Sequence, residues 1–126
     1  KIQAIGFDPA YASFIVDPYL QPAGLTCITH RQGAVSMGPP TSWFERFVKQ
    51  GNLAHGGHPL LDVAANNARL HPRDKAGNTY PAKGKSRGRI DPIVAAVMAV
   101  GYCCAPPQVS QISGAWSGAP GSGMWG

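Results

Sequence analysis

The chain has 126 residues, 44% of them hydrophobic, which is enough for one domain with a core of its own and too few for two. Lysine and arginine number 11 against 6 acids, a net charge of +5 that disfavours cationic partners and favours a polyanion. The three cysteines, Cys27, Cys103 and Cys104, have no metal-motif spacing, and the longest apolar run, residues 93–104, is interrupted by Gly101; a reduced, soluble, intracellular protein without a membrane span is expected.

The opening KIQAIGFD reads as a buried strand over 2–7 already under way, so a piece of a longer protein is expected. Pro9 suits a first helical position, and AYASFIV continues as a short helix until Pro18 ends or kinks it. LTCITH, after Gly24, reads as a second strand, which makes a βαβ unit of an α/β domain. GAVSMGPP reads as loop. A capping box at Ser42 and Glu45 then opens a helix carrying Trp43, Phe44, Phe47 and Val48, which Gly51 ends.

A further helix is predicted from Pro59 through LLDVAANNA, then a small hairpin over 70–81 turning at DKAGN. Asp91 is placed as N-cap and Pro92 as first helical residue of IVAAVMAV, a helix apolar nearly all round and therefore buried. One domain over 1–104 is followed by a flexible Gly/Pro/Ser-rich tail over 105–126, with Trp116 and Trp125 as docking points.

Arg69, Arg73, Lys75, Lys83, Lys85, Arg87 and Arg89 lie close together against one acid, Asp74, as a phosphate backbone requires and as a solvated surface also allows. Asp8 follows a buried strand and Asp91 opens a buried helix. A carboxylate pair at such element ends, with cations around it, suits Mg²⁺ or Mn²⁺ and phosphodiester cleavage; each acid also precedes a proline, and from spacing alone the helix-cap reading leads. His55 and His58 sit around a flexible Gly-Gly with no further ligand near, so zinc is not expected. No nucleophile elbow, P-loop or dinucleotide fingerprint occurs, which removes serine hydrolases and nucleotide binders.

Asp8-Pro9, Gln32-Gly33, His55 to Pro59, Asn67, Asp74 to Asn78, Pro81 to Lys83 and Ile90-Asp91, in that order, resemble the C-terminal nuclease part of tailed-phage terminase large subunits over residues 2–102. The resemblance implies a ribonuclease H-like α/β fold, a mixed sheet flanked by helices, here without its first strands. It implies metal-dependent cutting of concatemeric double-stranded DNA during genome packaging, with two divalent ions, in the cytoplasm of a bacterial host. Asp8 then matches the family's second catalytic acid, Asp91 its third and Lys83 a lysine close to the site; Asn67 and His55 match further family positions.

The family's first acid lies on an earlier strand, Phe7 replaces a common tyrosine, and Asp62 stands where arginine is frequent. The chain alone is therefore expected to be inactive or very weak. In the full-length protein the resemblance implies an ATPase domain, the small terminase subunit and the portal as partners. The alternatives are an inactive remnant that binds DNA or other proteins, and another ribonuclease H-like enzyme such as a junction resolvase or an integrase-like recombinase.

Overall fold

Strands β1 (Ile5–Phe7) and β2 (Cys27–Thr29) run parallel, with Ile5 opposite Cys27 and Phe7 opposite Thr29, in a computed structural model that describes residues 2–105. Between them runs α1 (Pro9–Ile15), with Pro9 in its first turn and Asp8 as N-cap. Pro18 has no N–H to continue the α-helical ladder, and Val16–Leu20 instead winds as a π-type turn closed by Gln21 N–H on the Val16 carbonyl at 3.0 Å. The predicted βαβ unit is present, and the sheet among the described residues is this one parallel pair.

The segment read as loop is helical. Helix α2 spans Ala34–Gln50, starts after Gly33 and carries Pro39 and Pro40 inside it. Ser42 and Glu45 therefore lie within the helix and form no capping box. Packing explains the difference: Met37, Gly38, Pro40 and Thr41 are buried, and the Thr41 hydroxyl donates to the Met37 carbonyl at 2.7 Å, close to where the prolines leave backbone carbonyls without amide donors. Gly51, at φ +68°, ends the helix as predicted.

Helix α3 (Pro59–Asn67) is capped by His58, whose Nδ1 accepts from Leu60 N–H at 3.2 Å. Helix α4 (Asp91–Cys104) packs mainly on α2 and also on α3. Met37, Ala64, Ile90, Ile93, Val94, Val97 and Met98 form the core, with Phe44, Leu61 and Tyr80 against it. Helix α4 is not buried all round, since Ala95 and Ala99 are exposed.

The predicted hairpin is a single antiparallel bridge, Leu70 with Pro81, rather than two strands; Pro72 and Pro81 each lack the N–H that a longer ladder needs. Its turn forms at DKAGN. The Asp74 carboxylate accepts from Ala76 N–H at 2.9 Å, Asn78 N–H at 2.8 Å and the Asn78 amide at 3.1 Å, and Gly77 takes φ +82°. Among the described residues no helix is long and apolar enough to cross a membrane. The tail expected over 105–126, with Trp116 and Trp125, lies outside the described residues except for Ala105.

Candidate active site

Parallel pairing brings the C-terminal end of β1 beside the end of β2, and ligand sites gather at such strand ends in α/β folds. Asp8 follows β1 directly and its Oδ1 accepts from Ala10 N–H at 3.0 Å, so one oxygen caps α1. Gln32 lies three residues beyond β2. Helix α4 directs its first turn to the same place, and Asp8, Tyr11, Gln32, Lys83, Asp91 and Val94 all line one open cleft of about 500 Å³.

Asp91 is not the cap that its sequence context suggests. Ile90 occupies the N-cap position without a side-chain hydrogen bond, and Asp91 is the first helical residue. Its carboxylate meets Lys83 Nζ at 2.9 Å, and this hydrogen bond is the main reason its carboxyl is held below the usual carboxylate range; the charges of Lys83 and Arg89 add to it, against some desolvation. Lys83 comes from a single 3₁₀ turn, Lys83–Lys85, just before α4.

Behind Asp8, His30 N–H donates to the Phe7 carbonyl at 2.7 Å, and its Nδ1 pairs with the Tyr102 hydroxyl at 3.2 Å. Its Nε2 is buried with no partner among the described residues. Burial pushes the imidazole down, the charge of Asp8 opposes this, and burial raises the Tyr102 phenol. The pairing of His30 with Tyr102 escaped the sequence reading, and Gln32, named there only as part of the Gln32-Gly33 resemblance, was given no place at the site.

The seven cations divide by what they touch. Arg69 donates to the Ala68 and Asn66 carbonyls at 2.7 and 3.4 Å, completing the end of α3; Arg73 donates to the Gly77 carbonyl at 2.9 Å; Lys83 is paired with Asp91. Lys75, Lys85, Arg87 and Arg89 are exposed and make no ion pair among the described residues. Asn67 is not among the residues lining the acid cleft: its carbonyl accepts from Arg87 N–H at 3.2 Å and its side chain lies close under Gly88. His55 lies in a separate groove with Phe44, Leu61 and Asp62, its Nδ1 accepting from Gly57 N–H at 3.3 Å.

Two carboxylates on one cleft suit a hydrated Mg²⁺ or Mn²⁺, which takes one or two protein carboxylates and keeps several waters. No group of three or more His, Cys, Asp or Glu gathers among the described residues, so they do not form a closed protein cage for such an ion.

Residues 1–105 match the family model described as terminase large subunit, endonuclease domain. The terminase large subunit of Enterobacteria phage HK97 is 40% identical over 77 residues, covering 61% of this chain and 15% of that protein. The crystal structure of the HK97 bacteriophage large terminase superposes with a TM-score of 0.64 at 34% identity, over 78% of this chain and 20% of the other. The chain spans a fifth or less of the length of each.

Proposed function

We infer the function from one premise, that the chain belongs to the family of terminase large subunit endonuclease domains. Its activity is metal-dependent cleavage of the phosphodiester backbone of double-stranded DNA during genome packaging, on a ribonuclease H-like fold. The observation that carries this reading is the convergence of Asp8, Asp91 and Lys83, from three separate segments, on one cleft. Asp8 and Asp91 would hold Mg²⁺ or Mn²⁺, which supplies a polarised phosphate and an activated water. Lys83 neutralises charge that develops on the phosphate, and Lys75, Lys85, Arg87 and Arg89 follow the backbone on either side. Such contacts carry little sequence information, so cutting is of low specificity. In the whole protein the domain works beside an ATPase domain, the small subunit and the portal, in the host cytoplasm.

Nicking of supercoiled plasmid by the chain in Mn²⁺ tests this. No cleavage or very weak cleavage is expected, because only two acids reach the cleft, and Asp8→Asn or Asp91→Asn should abolish any that occurs. Robust cleavage that both substitutions leave intact would sink the assignment. A second reading, a module that binds DNA without cutting it, is favoured by the small acid count. Calorimetric titration separates the two: salt-sensitive DNA binding with no uptake of Mn²⁺ is the result expected of the module.

A further inference from the structure

The acid cleft continues past Lys83 into a second cavity of about 280 Å³, with Gln32, Lys83 and Val94 common to both. The second cavity is bounded by His71 and Tyr80, whose rings stack with centroids 4.3 Å apart and planes 23° from parallel. The hairpin fixes this pair. His71 N–H donates to the Tyr80 carbonyl at 2.9 Å, the Thr79 hydroxyl donates to the His71 carbonyl at 2.6 Å, and Tyr80 packs against the core. Met37 and Val94 add buried apolar surface. Among the described residues the His71 imidazole, the Tyr80 phenol and the Gln32 amide have no hydrogen-bond partner, and none of them is a buried orphan. A rigid aromatic wall with several unengaged polar groups is built to take a flat, polar-edged ligand.

We propose that this second groove is the subsite for the nucleoside next to the phosphate that the acid cleft holds, an assignment that rests on the nuclease reading. Lys83, at the junction, faces the linking phosphate. The stacked pair takes the face of the base or deoxyribose, and Gln32 meets its polar edge. Stacking on a ring face suits every base, in keeping with low sequence specificity. A base reaches the groove only outside the helical stack, so DNA that is gapped or frayed at the cut binds better than intact duplex.

The test needs neither metal nor cleavage. Thymidine 3′,5′-bisphosphate is titrated into the chain in EDTA, with inorganic phosphate as reference and NMR as readout. The nucleoside compound should bind about tenfold or more tighter than phosphate, as one stacked base warrants. It should shift the His71 and Tyr80 ring signals. Gln32→Ala and His71→Ala should each erase most of that preference, while Tyr80→Phe, which keeps the stack, retains it. Equal affinity for the two anions, or an unchanged preference in both alanine variants, would overturn the subsite. The two readings fail separately: cleavage that survives Asp8→Asn ends the nuclease assignment without touching this titration, and a missing nucleoside preference beside acid-dependent cleavage ends the subsite alone.

Discussion

Asp91 and Lys83 show how a single contact adjusts an exposed group. The two side chains are 60% and 52% exposed, so their ion pair contributes only about 0.2–1 kcal/mol to stability. Because the folded carboxyl lies below its unfolded value, that contribution is present above about pH 4 and disappears as the pH falls through the folded value. Lys83→Gln should return the Asp91 titration towards the ordinary carboxylate range, which carboxyl ¹³C shifts would follow. An unmoved titration would mean that Lys83 is not the cause. His30 acts in the same direction at higher pH: with its imidazole pushed down by burial, protonation favours the unfolded chain as the pH drops below the ordinary histidine range.

Among the elements, the contact of α2 with α4 is the one most open to test. A Cβ on Gly101 would stand 2.8 Å from the Pro40 ring, which is rigid and buried and cannot yield as a flexible side chain would. Gly101→Val should therefore destabilise the fold by about 1–3 kcal/mol in urea denaturation, despite the better helix former. Pro39 is exposed and inside the same helix, so Pro39→Ala should stabilise by up to about 3 kcal/mol. Loss of stability on that change would show that the proline fits its backbone better than an alanine does. The same helix marks where sequence reading stopped. Gly51 was legible because a glycine at a left-handed turn is a local signal, whereas Pro39 and Pro40 spoke locally for a loop and were overruled by burial against a helix some sixty residues further along. Asp91 differed by one residue for a related reason, since its carboxylate found Lys83 in place of the backbone amides a cap would take.

For the molecule as a whole, charge was easier to read than its use. The basic segment was plain in the sequence, but nothing local distinguishes Arg69, committed to the end of α3, from Arg87 or Arg89. With Lys75, Lys85, Arg87 and Arg89 on phosphates, the logarithm of DNA affinity should fall against that of salt concentration with a slope near about −3.6, and each Arg→Ala in this set should reduce it by about 0.9. Arg69→Ala should instead lower the melting temperature with little change in slope; fluorescence anisotropy and thermal unfolding report the two effects. The βαβ unit, the later helices and both acids were legible because their signals are periodic or lie at element ends, and the stacked rings of the hairpin were not, because only folding brings them beside Lys83. The distance between the acids along the chain has one more consequence. Asp8 and Asp91 are 91 − 8 = 83 residues apart, so the cleft depends on a late, long loop closure. β1 is made before α4, and Asp8 and Asp91 come to line one cleft only when α4 docks on α2. Fraying of the first turn of α4 would therefore carry Asp91 and its contact with Lys83 out of the cleft before the rest of the fold opens.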